Sequence, residues 1–95
     1  MPVKVKLLGG LRGLAGKEAI FIELDGISVV KELFHKLAED TPPEFRRALL
    51  DPELNDPRPN ALILINEREI SVLDGLESQV RDGDEVTLVS VSHGG

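Results

Sequence analysis

The 95-residue chain has no cysteine, tryptophan or tyrosine. Without cysteine, the chain has no disulfide, no thiolate zinc site and no thiol nucleophile of its own. It also shows neither a basic segment followed by an apolar run nor an apolar run of the roughly 18 residues that span a membrane. These absences argue against secretion and membrane insertion, and they lead us to expect a cytoplasmic protein.

Positive charge is also scarce, because 11 lysines and arginines stand against 17 acidic residues, for a net charge of -6. Such a surface repels a phosphate backbone, so we expect no direct contact with nucleic acid. The 41% hydrophobic and 29% charged residues are typical of a globular protein. The length predicts a single domain. Since the last predicted strand ends near Val91, we expect this domain to cover residues 1–91 and a flexible C-terminal tail to follow over residues 92–95.

The first quarter of the chain predicts two strands joined by a glycine-rich connection. Apolar residues alternate with polar ones from Pro2 to Leu8, which indicates a strand with one buried face. The stretch from Gly9 to Gly16 predicts a flexible hairpin loop, with a turn of helix around Leu11 to Leu14. Alternation resumes from Ile20 to Leu24, so the second strand lies there.

Two helices are predicted next. Apolar residues spaced i, i+3, i+4, i+7 and i+8 predict an amphipathic helix after Ser28, whose hydroxyl is suited to capping it. Thr41 and Glu44 have the spacing of a capping box for a short second helix, with Pro42 at its first position. The inward side chains of the two helices are Val30, Leu33, Phe34, Leu37 and Ala38, and Phe45, Ala48 and Leu49.

The second half of the chain predicts a loop and three strands. Three prolines mark Asp51 to Asn60 as an exposed loop, and Ala61 to Ile65 then form a strand that is apolar on both faces. Ile70 to Leu73 predict a short edge strand after a turn. Asp82-Gly83 turns the chain into a final strand from Glu85 to Val91.

This order of elements predicts the α+β class. We expect a mixed sheet of four to five strands packed on one main helix, with a short second helix on the same side. Placing the last strand at the centre, parallel to the first, would bury Val86 and Leu88 together with the apolar face of the first strand.

Familiar catalytic patterns do not fit. The glycine cluster is no phosphate-binding loop, because Leu11 stands where its first glycine must be and Glu18 replaces the serine or threonine. His35 falls on the polar side of the helix, and with His93 it gives only two imidazoles, too few for a zinc site, so we expect no metal. The acidic residues on either side of Gly83 indicate a turn rather than a catalytic pair.

The most informative segment is the end of the chain, where Ser92, His93, Gly94 and Gly95 follow the last predicted strand. Four extended residues reach roughly 13 to 14 Å beyond the sheet, far enough to enter the active site of another protein. Glycine has no Cβ, so it passes narrow channels and leaves a carboxylate unhindered. The alternative is an ordinary frayed terminus.

Four segments together resemble a known family: the first strand through Gly9-Gly10-Leu11, then Leu64-Ile65-Asn66, Asp82-Gly83-Asp84, and the terminal His93-Gly94-Gly95. In order and spacing the chain resembles the small β-grasp sulfur carriers of the MoaD and ThiS type. It is more similar at both ends to the ubiquitin-related modifiers of tRNA thiolation. The resemblance covers nearly the whole chain and implies the ubiquitin-like β-grasp fold.

The resemblance also implies a carrier that is not itself an enzyme and holds no cofactor. Gly95, next to Gly94, would be adenylated by a ubiquitin-activating-like adenylyltransferase that uses ATP and Mg²⁺, then converted to a thiocarboxylate with sulfur from a sulfurtransferase. The acceptor would belong to a tRNA thiolase or to a molybdopterin synthase large subunit, with this chain as the small subunit. Alternatives are a protein modifier joined to lysines through Gly95, and a β-grasp binding module with an inert tail.

Partner contacts are predicted on the last strand. If Val86 and Leu88 point inward, then Thr87, Val89 and Val91 point outward beside the tail. We expect these three residues, with His93, to contact partners in a chain that is monomeric or part of a heteromer. Packing within the monomer is the alternative for the two valines.

Overall fold

Within the residues that the computed structural model describes, 2–51, 53–54 and 56–91, five strands form one mixed sheet. The strands follow the order β2-β1-β5-β3-β4 across the sheet. Their bounds are Val3–Leu8 for β1, Ala19–Ile22 for β2, Ala61–Ile65 for β3, Arg68–Glu69 for β4 and Glu85–Ser90 for β5.

Three helices pack on one face of this sheet, where their buried side chains join those of the strands in one core. They are α1 (Gly10–Ala15), α2 (Val30–Glu39) and α3 (Pro43–Leu49), and two short 3-10 turns follow at Ile70–Val72 and Gly75–Glu77. In the described part of the chain, no helix has the length and apolar character needed to cross a bilayer.

The last strand occupies the centre of the sheet, as predicted. β5 pairs in parallel with β1 and antiparallel with β3. Val86 and Leu88 are completely buried because they face the helices, and so do Val3, Val5 and Leu7 of β1. The alternation of apolar residues therefore predicted correctly which face of these two strands is buried.

The stretch from Gly9 to Gly16 is more ordered than the predicted flexible loop. It forms the six-residue helix α1, which packs against α3. Leu11 is buried in the core, and Gly16 ends the helix in the left-handed conformation, donating its N–H to the Arg12 carbonyl oxygen at 3.0 Å. Burial of Leu11 thus outweighs the low helix propensity of the glycines.

Gly9 adopts a backbone conformation and a close contact that no other residue tolerates well. Its φ of 74° and ψ of −149° belong to a region essentially restricted to glycine, and an added Cβ would overlap Ser90 Oγ. We expect Gly9→Ala to lower the free energy of unfolding by about 2 kcal/mol or more. Urea denaturation measures the loss.

Gly16→Ala is the matched control at the other end of α1. Gly16 also has a positive φ of 73°, but an added Cβ there meets nothing within 4 Å. We expect it to cost about 1 kcal/mol. Equal losses in the two variants would show that the contact with Ser90 contributes nothing.

Both predicted helix caps are wrong. The N-cap of α2 is Val29, not Ser28, because the N–H of Val30 donates to the Ser78 carbonyl oxygen at 2.9 Å and the backbone bridge there sets where the helix begins. Thr41 does not cap α3, since its hydroxyl donates to the Leu37 carbonyl oxygen at 2.8 Å at the end of α2. The N-cap of α3 is therefore Pro42, one residue before the helix.

The predicted edge strand from Ile70 to Leu73 is also wrong. Asn66 and Glu67 adopt positive φ values of 48° and 72°, which make a tight hairpin and place β4 at Arg68–Glu69. Ile70 then turns into the core and begins a 3-10 turn, where the Glu69 carboxylate accepts the N–H of Ser71 at 3.1 Å. The tight turn shifts the pairing earlier than the hydrophobic pattern indicates.

Candidate functional site

The sheet topology brings three chain segments to one edge, which we call the exit edge. Because β1 and β5 run parallel, their last residues, Leu8 and Ser90, lie together there, and the antiparallel β3 begins there at Ala61. Val91 continues the pairing of β5 with β3, donating its N–H to the Asn60 carbonyl oxygen at 3.1 Å. The segment predicted to act chemically, residues 92–95, lies outside the described residues but follows this point directly.

The outer face of the sheet, which points away from the helices, carries an apolar patch next to the exit edge. We define this patch as Leu8, Leu62, Val89 and Val91. Val89 lies between Leu8 on one neighbouring strand and Leu62 on the other. Leu8, Leu62 and Val91 are 36%, 44% and 41% exposed. Side-by-side exposed apolar residues of this kind are typical of a protein-binding surface.

Away from the exit edge, the same face becomes polar. Lys4 lies between Phe21 and Glu85, and Lys6 lies beside Thr87. Phe21 is the only large apolar side chain of this half that is well exposed in the described structure, at 63%. The outer face therefore has an apolar half next to the chain exit and a charged half opposite it.

The three predicted contact residues that the structure describes lie on the outer face of the sheet. Val89 is half-buried at the centre of the patch and Val91 is exposed at its edge, whereas Thr87 lies between Lys6 and Leu64. His93 lies outside the described residues. Contact of these residues with a partner stays a prediction, but the three described ones share the outer face.

The sequence prediction missed Leu8 and Leu62 as members of the patch. Two signals were present. Leu8 is apolar where the alternation of β1 would place a third polar residue after Lys4 and Lys6, and β3 is apolar on both of its faces. Neither signal shows that Leu8 and Leu62 flank the same residue of β5, because that depends on the order of the strands.

The proline-rich loop borders the exit edge through Asn60. The side-chain amide of Asn60 donates to the Leu49 carbonyl oxygen at 3.3 Å, at the end of α3, and its N–H donates to the Pro57 carbonyl oxygen at 3.0 Å. Since the carbonyl oxygen of Asn60 accepts the N–H of Val91, this residue connects α3, the loop and the end of β5.

Asp56 and Arg58 stabilise the same loop. The Arg58 side chain donates to both carboxylate oxygens of Asp56, with its Nη2 2.6 Å from Oδ2, and its backbone N–H donates to Oδ1 at 2.9 Å. The hydrogen bonds from the Arg58 side chain are the main cause of an Asp56 pKa below its usual value of 3.8. The ionised carboxylate is the form that holds this loop.

Because the pKa of Asp56 is lowered in the folded protein, we expect the protein to lose stability in acid. A carboxyl group whose pKa is lower in the folded state stabilises that state above the unfolded pKa, and the contribution disappears as the pH falls through the folded pKa. We expect Asp56→Asn to reduce the fall in thermal unfolding temperature between neutral pH and a pH below 3.8. Asp82→Asn removes an exposed carboxylate from a turn elsewhere and serves as the control. An identical acid response in wild type and Asp56→Asn would contradict the prediction.

Asp84, one of the two acidic residues beside Gly83, has the structural role in a turn that the sequence indicates. Asp84 accepts hydrogen bonds from the Asn66 side chain at 3.0 Å and from the Arg81 N–H at 2.8 Å. The amide oxygen of Asn66 in turn accepts the N–H of Glu85 at 3.0 Å. These bonds fix the turn before β5 at the edge of the sheet opposite the chain exit.

Comparison with known proteins identifies the family of this chain. The family model described as "Urm1 (Ubiquitin related modifier)" matches residues 2–95, which is nearly the whole chain and includes the terminal glycines. The chain belongs to the Urm1 family. The match confirms the resemblance to ubiquitin-related modifiers noted from the first strand and the His-Gly-Gly end.

Individual relatives support the same assignment. The chain is 32% identical to ubiquitin-related modifier 1 of Schizosaccharomyces pombe over 100 residues that cover all of both proteins. It is also similar to the solution structure of small archaeal modifier protein 1 from Methanosarcina acetivorans. That match has 27% identity and a TM-score of 0.82, covering 99% of this chain and 96% of that one. The ubiquitin-like β-grasp fold is thereby confirmed for this member of the Urm1 family.

A second solved structure shows a similar protein bound to a partner. It is the BexX/CysO complex of Amycolatopsis orientalis, in which the matched chain has 26% identity and a TM-score of 0.72. The match covers 98% of this chain and 99% of that one. The Urm1 family member described here is thus a small ubiquitin-like protein of the carrier and modifier class.

Proposed function

We propose that this Urm1-family chain is a sulfur carrier that works through the carboxylate of Gly95. The observation that carries the proposal is the position of the chain exit, where β5 leaves the sheet beside the apolar patch with four residues still to follow. A partner that binds the patch has residues 92–95 within reach of its active site, because four extended residues span roughly 13 to 14 Å.

The first chemical step activates the carboxylate. A carboxylate oxygen of Gly95 attacks the α-phosphorus of ATP and pyrophosphate leaves, so an acyl-adenylate forms. The ATP and Mg²⁺ belong to the activating partner, a ubiquitin-activating-like adenylyltransferase. The mixed anhydride is a good acyl donor because AMP is a much better leaving group than oxide.

The second step introduces sulfur. The terminal sulfur of a persulfide on the activating enzyme or a sulfurtransferase attacks the acyl carbon, and AMP leaves. A thiol then attacks the resulting acyl disulfide, which releases the Gly95 thiocarboxylate and leaves a new disulfide on the partner side. Because this chain has no cysteine, its partners supply the persulfide and the thiol.

The acceptor of the sulfur is a second partner. Membership in the Urm1 family favours an adenylated tRNA base held by a tRNA thiolase. A molybdopterin synthase large subunit that holds a pterin precursor is the other acceptor. In both cases the partner binds the substrate and this chain brings the sulfur, in the cytoplasm, where reduced thiols are available.

A second candidate function is protein modification, which the modifier names of the relatives favour. After the same adenylation, a lysine amine on another protein would attack the acyl carbon and form an isopeptide bond with Gly95. The two functions share activation and differ in the final nucleophile. Trypsin cuts this chain last after Arg81, so lysines of other proteins that carry the remnant Asp82–Gly95 after tryptic digestion would reveal conjugation.

The direct test of the sulfur-carrier proposal is co-expression with a ubiquitin-activating-like enzyme. We expect the intact mass of the chain to increase by the exchange of one oxygen for one sulfur. Fragmentation should place the change at Gly95. An unchanged mass beside an active enzyme would contradict the proposal.

A further inference from the structure

The last residue of β5 carries a polar side chain on the buried face of the sheet. Val86 and Leu88 fill the core on this face, and alternation places Ser90 next on the same side, towards α1 and away from the apolar patch. Ser90 is therefore not a member of the proposed docking surface, although it is only one residue before Val91.

The Ser90 hydroxyl is held by the corner between β1 and α1. It accepts the N–H of Gly10 at 2.8 Å and lies 3.5 Å from the Leu8 carbonyl oxygen. Gly9 lies so close that a Cβ there would overlap the hydroxyl oxygen. The glycine pair that the sequence indicates only as a loop thus provides the space and the N–H donor that hold Ser90.

The next residue is held from the other side. The N–H of Val91 donates to the Asn60 carbonyl oxygen at 3.1 Å, and the Asn60 side chain is attached to the end of α3. The end of β5 is therefore held on both sides, by the backbone pairing of Ser90 with Ala61 and of Val91 with Asn60, and by the Ser90 side chain at the corner between β1 and α1.

We propose that Ser90 is a positioning residue that holds the end of β5, and with it Val91, in place at the exit edge. This inference rests on the proposed function at Gly95. When Ser90 is held, the chain that must be ordered in the partner's active site begins after Val91. Without the hydroxyl, the end of β5 keeps only its pairing with β3 and Asn60, so its last pairs open more often. Each residue that opens must be ordered again in the partner's active site, which lowers the rate by about tenfold because the conformational entropy of its backbone is lost in the transition state.

The test uses the full chain with a ubiquitin-activating-like enzyme, ATP and labelled pyrophosphate. Initial rates of ATP–pyrophosphate exchange, measured at increasing carrier concentration, separate kcat from KM. We expect Ser90→Ala to lower kcat about tenfold with KM within twofold, and Ser90→Thr, which keeps the hydroxyl, to restore kcat. A substitution in the docking patch, Leu62→Asp, should instead raise KM.

Hydrogen exchange of backbone amides provides a readout that needs no enzyme. In Ser90→Ala we expect the Gly10 and Val91 amides to exchange faster, while the Leu88 amide at the centre of the sheet keeps its wild-type rate. A uniform increase across the sheet would indicate general destabilisation and would overturn the positioning role.

Two further outcomes are distinguishable. If wild type is adenylated and Ser90→Ala has the same kcat, the positioning role is overturned and the proposed function stands. If wild type is not adenylated at all, the proposed function fails and the positioning role fails with it.

Discussion

Deletion of Gly95 is expected to abolish thiocarboxylate formation. The truncated chain ends at Gly94, so its carboxylate falls about 3.3 to 3.6 Å short of the position that the full chain reaches. A displacement of about 1 Å can cost a factor of 100 in rate, so we expect the sulfur-containing species to fall at least 100-fold, below detection. Intact-mass measurement after co-expression with the activating enzyme checks this result.

Binding to the partner should survive this deletion, because the apolar patch is unchanged. Gly13→Ala is the control for loss of a glycine elsewhere. Gly13 lies within α1, and an added Cβ there meets nothing within 4 Å. We therefore expect normal conversion of Gly95 to the thiocarboxylate, and a free energy of unfolding that is unchanged or slightly higher. Full conversion of the truncated chain at Gly94 would show that the position of the carboxylate is not critical.

Leu62→Asp is expected to weaken binding of the activating enzyme by about 2 to 3 kcal/mol, or roughly 30- to 150-fold in Kd. Leu62 is 44% exposed at the patch, so the free chain tolerates a charge there. In the complex the carboxylate would be removed from water against apolar side chains, which is unfavourable. Isothermal titration calorimetry measures the change in Kd.

The matched control is Val72→Asp. Val72 is a similarly apolar residue, 69% exposed in the 3-10 turn Ile70–Val72 and outside the patch. We expect the Kd of Val72→Asp for the activating enzyme to equal that of wild type. Both variants should have thermal unfolding temperatures within a few degrees of wild type. Equal weakening by both substitutions would mean that added negative charge, rather than the patch, determines binding.

Much of the fold could be predicted from local patterns. The period-two alternation in β1, the apolar run of β3 and the i, i+3, i+4 spacing of α2 each reflect which face of one element is buried. These patterns lie within a few residues, so they identified β1, β2, β3, β5 and the main helix. The charge balance and the glycine-ended tail likewise indicated the class of function.

The errors occurred where a second interaction competes with the one that the local pattern indicates. Thr41 has the spacing of a cap for α3, but its hydroxyl is occupied at the end of α2. The glycines after β1 predict a loop, but burial of Leu11 forms a helix there. Ile70 has the composition of an edge strand, but the tight turn at Asn66 and Glu67 ends the pairing before it.

The sequence by itself determined four of the strands, the main helix, their buried faces and the family of this Urm1-type chain, because periodicity and terminal motifs are local properties. Only the tertiary structure decided which surface surrounds the chain exit. Leu8, Leu62 and Val89 come from three strands far apart in the chain, and the pairing of β5 with both neighbours makes them adjacent. The contact of Ser90 with Gly10, 80 residues earlier, depends on the same parallel pairing, which no local pattern encodes.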